Sequence, residues 1–135
     1  MNVNDKTYQA LATALNFREM RQEIISSNIA NANTPGYKSM KLDFEGALAR
    51  ALDVDGNRSM NTSEGNHYNV GNGGFDNLSP EVYEDPNGVV SENGNTVDVE
   101  SEMSRMAENK LMFDTTVQLL NKKIGLMKYA ISQEK

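Results

Sequence analysis

From Val99 to Ile131 apolar side chains return at alternating steps of three and four: Val99, Met103 and Met106, then Phe113, Val117 and Leu120, then Ile124, Met127 and Ile131, with Lys110 as the charged interruption. An α-helix brings such positions onto one side, and the sustained heptad spacing predicts a helix on the order of 50 Å long at 1.5 Å per residue. Asp98 stands where an N-cap is expected. Glu100 and Glu102 lie in the first turn, where negative charge suits the helix dipole, and Lys122, Lys123 and Lys128 lie toward the other end. Met112, Leu119 and Leu126 add a flanking stripe at heptad spacing.

The other end of the chain offers this helix a partner. Tyr8, Leu11, Leu15, Ile25 and Ile29 fall on the same three-four alternation once Arg18 and Gln22 are admitted to the stripe, and Ala10, Phe17, Ile24 and Asn31 run beside it. The helix is expected from about residue 5 to about residue 32, stopping before Thr34-Pro35 because the residue preceding proline is pushed out of the helical region. Pro35 and Gly36 then suit the two central positions of a type II turn, the second of which needs positive φ. Residues 41–52, "KLDFEGALARAL", read as a short amphipathic helix presenting Leu42, Phe44, Leu48, Ala51 and Leu52, marginal by itself.

Between Asp53 and Thr96 the periodicity stops and glycine, proline, Asn and Ser replace it. The stretch "DPNG" between Val82-Tyr83 and Val89-Val90 predicts a short β-hairpin, which needs something to lean on. The fold class is therefore mainly α, with long N- and C-terminal helices pairing as a coiled-coil-like hairpin around a glycine-rich acidic middle. Its parts are an N-terminal helix, turn and short second helix over 1–52, a flexible loop with the hairpin over 53–97, and the heptad helix over 98–135, together one structural unit. One seam is satisfied by pairing the two long helices. The flanking stripes are not, and they are expected to pack against other copies or related chains, ordinary core packing within a monomeric bundle being the other reading.

Charge narrows the functions open to the chain. The net charge is -6, and residues 53–100 hold ten acids against the single base Arg58, which repels a phosphate backbone and argues against nucleic-acid binding. There is no cysteine, so no disulfide, thiolate chemistry or cysteine-based zinc site. No run of about 18 apolar residues suggests a membrane span, and no apolar stretch behind basic residues suggests a cleaved signal. His67, alone among Asn, Gly and Tyr, fits a solvated loop residue better than a ligand or general base. Asp53 and Asp55 start like a calcium loop, but its glycine falls at the wrong place. Two sequons, at Asn57 and Asn61, mean little without a secretory signal. With no nucleophile elbow, phosphate loop or zinc-protease motif, no catalytic site, metal, cofactor or small-molecule substrate is expected.

The motif "SNIANANTPGYK" at residues 27–38, following a helix that begins near the N-terminus, strongly resembles the signature of the bacterial flagellar axial proteins, the rod, hook and hook-associated family. The far end, "NGNTVDVESEMSRMAENKLMFDTTVQLLNKKIGLMKYAI", looks like the C-terminus of a proximal rod component of that family. The resemblance covers roughly residues 8–45 and 86–131. It implies a structural, non-enzymatic subunit that polymerises through its terminal helices into a tubular drive shaft around an export channel, required for motility. It also implies delivery by the flagellar type III apparatus without a cleaved signal, residence in the periplasm-spanning rod of the basal body, and as partners copies of itself, other rod proteins, and ring and export-gate components.

On that reading the motif residues Asn28, Asn31, Asn33, Pro35, Gly36 and Tyr37 form a subunit interface, together with the seams Leu11, Leu15, Ile25 and Ile29 on the first helix. Met106, Phe113, Val117, Leu120, Ile124, Met127 and Ile131 complete it on the last. Asn31 is expected to face a neighbour. The rival readings are another rod component of the same family and a soluble helical adaptor or export chaperone binding one partner helix.

Overall fold

The computed structural model describes residues 6–53, 75 and 78–133. Its elements are helix α1 (Lys6–Ala30), strand β1 (Met40–Asp43), helix α2 (Glu45–Asp53), strand β2 (Glu81–Glu84) and helix α3 (Val99–Gln133). His67, Asp55, both sequons and most of the first half of the expected loop lie outside the described residues. The chain is mainly helical, with a small two-stranded sheet between the terminal helices.

The termini of the helices follow local chemistry. Asp98 caps α3, its Oδ1 accepting from Ser101 N at 3.3 Å and its carbonyl from Glu102 N at 2.9 Å. α1 gives way to turns at Asn31, and Tyr37 N closes a turn onto Thr34 O at 3.3 Å with Gly36 at φ 73, the positive φ that the Pro-Gly pair requires.

α1 and α3 run antiparallel. Asn28, near the end of α1, meets Glu102 in the first turn of α3, and Arg18 and Gln22 meet Asn109. With 25 residues in α1 and 35 in α3, this pairing leaves α3 projecting past the start of α1 by about ten residues, or about 15 Å at 1.5 Å per residue.

Two expectations are corrected. The first is the hairpin. β2 does not pair with residues 89–90 but lies antiparallel to β1, with Met40 opposite Glu84 and Asp43 opposite Glu81, while Val89 and Val90 are exposed outside any strand. β1 is the better template because α1 already holds it extended, and a lone two-stranded hairpin is marginal in water. The same pinning makes residues 40–43 a strand, so α2 begins at Glu45 and not at 41. Leu42 and Phe44 still reach the core, from strand and helix entry, whereas Leu52 stays exposed.

The second correction concerns the flanking stripe of α1. Ala10 and Phe17 are buried within the chain and need no neighbouring copy. Phe17 packs with Leu42 and Phe44, with Ile24 and Met20 against that cluster, and Ala10 packs with Ala51 and Phe75. α1 thus has two occupied faces, one toward α3 and one toward β1 and α2.

Phe44 is the centre of this small core. It is 2% exposed, its ring lies 5.5 Å from that of Phe17, and the guanidinium of Arg21 sits 4.5 Å above it, in cation–π range. Phe44→Ala removes both ring contacts and should destabilise the chain by roughly 3 to 5 kcal/mol, read as a lower midpoint in urea unfolding.

Candidate functional site

Asn28 is fully buried, and its carboxamide uses every hydrogen-bonding position it has. Nδ2 donates to Met40 O at 2.8 Å and to Glu102 Oε2 at 3.2 Å, while Oδ1 accepts from Met40 N at 3.0 Å and from the Tyr37 hydroxyl at 3.1 Å. Residues of an antiparallel strand alternate in which neighbour their backbone addresses, so Met40 and Leu42 turn away from β2. Asn28 meets Met40 there as a third strand would. Arg21 meets Leu42, donating from Nε at 3.1 Å and Nη2 at 2.7 Å to its carbonyl. Side chains of α1 thereby close an edge that would otherwise be unsatisfied in the interior.

Glu102 is the second half of this knot. At 2% exposed it accepts from Asn28, from Ser39 Oγ at 3.3 Å and from Arg105 Nη1 at 3.1 Å. A buried carboxylate is tolerable only with such a set of donors and a cation. No buried side-chain nitrogen or oxygen among the described residues lacks a partner.

The loop before α3 is tied to the same place. Asn95, buried, donates to both Asn31 O and Thr34 O at 2.8 Å and accepts from Val97 N at 2.7 Å. Gly36 N reaches Asn93 O at 2.9 Å, and Thr96 N reaches Tyr37 O at 3.1 Å. A Cβ on Gly94, which has φ 82, would lie 3.4 Å from Gly36 Cα, so the two loops meet backbone to backbone. The turn after α1 and the entry to α3 are therefore one hydrogen-bonded block.

Beside it a groove of about 520 Å³ runs between α1, β1 and α3, bordered by Arg18, Arg21, Lys41 and Arg105 but also by Glu45, Glu102 and Glu108, so neither sign of charge dominates. Arg21 forks onto Glu45 at 2.6 and 2.8 Å, and this hydrogen bonding holds the Glu45 carboxyl down to about 2. Burial, and then Arg21, push the Arg18 guanidinium below its ordinary value. Among the described residues no three His, Cys, Asp or Glu side chains gather as a metal site would need, and no helix is long and apolar enough to cross a membrane.

The expected interface residues fall into three groups. Ile25 and Asn28 are buried, while Leu11, Leu15, Ile29, Asn31 and Tyr37 are half-buried on or next to α1; Asn31 donates to its own Ser27 O at 2.8 Å. Asn33, Pro35 and Gly36 are exposed. On α3, Met106, Phe113, Val117, Leu120, Ile124 and Met127 are half-buried and Ile131 is exposed. The knot unites Asn28 and Tyr37, and Asn95 binds the backbone on either side of Asn33. The most buried positions of α3 are polar ones that apolar periodicity passed over: Glu102, Asn109 and Thr116. They are themselves seven apart, which was the available signal.

A family model described as flagella basal body rod protein matches residues 9–38, from α1 through the turn. A flagellar basal body rod protein FlgB of Cereibacter sphaeroides is 41% identical over 123 residues, 91% of each chain. FlgB of Aeromonas hydrophila is 38% identical over 125 residues, 92% of each, and that of Bacillus subtilis 28% over 138 residues, 98% of each. The chain belongs to the FlgB family of flagellar basal body rod proteins. It is a structural rod subunit. The segment matched by the family model contains Asn28 and Tyr37, while Glu102 and Asn95, which complete the knot, come from the distant end of the chain.

Asn28→Ala would strand both polar groups of Met40 and one side of Glu102, and should cost roughly 2 to 4 kcal/mol in urea unfolding. At Glu45 the folded value lies below the ordinary 4.5, so its contribution is fully present above about pH 4.5 and is lost as pH falls toward 2. The carboxylate is about half-exposed, which limits the effect to about 1 kcal/mol or less. Glu45→Gln should flatten the pH dependence of stability in that window, measured by urea titration at successive pH values.

Proposed function

We propose that the chain is a subunit of the proximal rod, joining copies of itself and related rod proteins through its terminal helices to form a tubular drive shaft that carries torque toward the distal rod and hook. The observation that carries this reading is the side of α3 that α1 leaves uncovered. Met112, Leu119 and Leu126, seven apart, are 43%, 50% and 54% exposed, and Tyr129 and Ile131 extend the apolar surface onto the projecting end. An apolar stripe in heptad register along an exposed helix is suited to coiled-coil-like packing against helices of neighbouring subunits. The half-buried seam of Leu11, Leu15, Phe113, Val117, Leu120, Ile124 and Met127 would be closed further by the same neighbours.

The loop side of the interface is the exposed Asn33, Pro35 and Gly36, held in one shape by Asn95 from behind. Asn28 and Tyr37 act there as the frame on which that surface is mounted. Passage through the flagellar type III apparatus as an unfolded chain is compatible with a sequence that has no cysteine, and so no disulfide to undo. In this reading the assembled subunit resides in the periplasm-spanning rod, beside ring and export-gate components.

Leu119→Asp and Leu126→Asp place charges on the exposed stripe without disturbing a buried contact. Each should leave the circular dichroism spectrum and unfolding midpoint of the purified chain close to wild type, while abolishing motility of cells that carry it as their sole copy. Swimming at the wild-type rate with either variant would refute the stripe as an assembly surface.

A further inference from the structure

The buried face of α3 holds a carboxylate, an amide and a hydroxyl where a stable helix pair would ordinarily hold aliphatic residues. Glu102 is 2% exposed and Asn109 is 4% exposed, and Thr116 is buried with them, while the neighbouring Met106, Phe113 and Leu120 are only half-buried. Asn109 bridges to α1 at three points: Nδ2 donates to Arg18 O at 2.9 Å and to Gln22 Oε1 at 3.0 Å, and Arg18 Nη1 approaches its Oδ1 at 3.5 Å. One heptad away, Glu102 accepts from Asn28. Thr116 differs, since its hydroxyl donates at 2.7 Å to Met112 O of its own helix.

We propose that Asn109 is a register determinant of the α1–α3 pair, acting along the helices beyond the hydrogen-bonded block at the entry to α3 and selecting one alignment from among those that the apolar residues would accept. The apolar seam cannot make this choice. Met106, Phe113, Leu120 and Met127 repeat every seven residues, so sliding α3 by one heptad still sets large apolar side chains against Leu11, Leu15 and Ile25. The polar residues break that degeneracy. A slide in one direction brings Asn109 level with Leu11 and Leu15, where no amide answers it, and separates Glu102 from Asn28. In the other direction Glu102 passes the end of α1, and Asn109 leaves Gln22 for the place that Glu102 held opposite Asn28. The first misalignment buries Asn109 against Leu11 and Leu15 without a partner, and the second takes Gln22 from Asn109 and Glu102 from Asn28, which is how a buried amide specifies register in paired helices.

Register matters to the outer surface as well. It sets how far α3 projects beyond α1 and where Met112, Leu119 and Leu126 stand relative to the exposed turn at Pro35. The inference rests on the contacts within one chain and does not depend on the rod-assembly reading of that surface.

The chain has no cysteine, so cysteines introduced at the exposed positions Glu23 on α1 and Ser104 on α3 are the only sites for a pair of spin labels. Their separation, measured by electron–electron double resonance on the full chain, should be a single narrow distribution. Gln22→Leu with Asn109→Leu removes both amides together, so that neither is left facing an apolar side chain, and takes from Arg18 only its long contact to Asn109 Oδ1. It should keep the helical content and add a second population, consistent with a slide of one heptad, about 10 Å along the axis, with about a tenfold rise in misaligned chains, the factor that loss of one buried hydrogen bond gives. Thr116→Val should leave the distribution unchanged. A single unshifted distance in the double variant would overturn the proposal, as would loss of its helical structure, which would make these groups supports of the fold and not selectors of its alignment. An equal second population in Thr116→Val would also overturn it, because any apolar change would then suffice.

Discussion

The carboxamide of Asn28 is the contact on which the arrangement of the chain depends. It joins three segments in one residue: α1, which carries it, β1, whose edge it completes at Met40, and α3, whose Glu102 it meets. A buried amide with all its positions filled gives modest net stability, but each partner it satisfies would be costly to leave unpaired. Arg21 repeats the device two turns earlier, binding Leu42 O while its guanidinium covers the ring of Phe44. The edge of β1 is thus closed by side chains of a helix, and the apolar residues of α1, β1 and α2 meet behind it.

This explains why a chain with so little apolar core has a defined shape at the turn end. Asn95, Asn28 and Glu102 link residues far apart in sequence, and each satisfies backbone or carboxylate groups that water cannot reach. At the opposite end α3 extends past α1 with Tyr129 and Ile131 exposed. Among the described residues the turn end is closed by polar contacts, while the projecting end of α3 is apolar and exposed. On the assembly reading proposed above, such a division keeps one surface constant while another is completed by neighbours.

Periodicity made both long helices legible, as did the Asp98 cap and the Pro35-Gly36 turn, because each follows from backbone geometry acting over a few residues. It also placed Leu11, Leu15 and Ile25 on one side of α1 and Phe113, Val117 and Leu120 on one side of α3. Glu102 and Asn109 were not legible in the same way. A charged or amide side chain in an amphipathic helix ordinarily marks the solvent face, and only knowledge of what stands opposite shows that it is buried and satisfied. The pairing of β2 was missed for a related reason: "DPNG" encodes a turn, but the strand it feeds chose the partner that α1 had already fixed in extended form.

By itself the sequence determined what depends on neighbours along the chain: two long amphipathic helices, the Asp98 cap, a turn needing positive φ at Gly36, an acidic middle, and the motif by which the chain resembles the flagellar axial proteins. Tertiary structure alone decided which stripe was already covered. Ala10 and Phe17 found partners in Leu42, Phe44, Ala51 and Phe75, whereas Met112, Leu119 and Leu126 stay about half exposed. The two stripes look alike in sequence because heptad spacing records only that a surface is apolar. What lies against it depends on contacts between residues distant in the chain, and those exist only once the fold has formed.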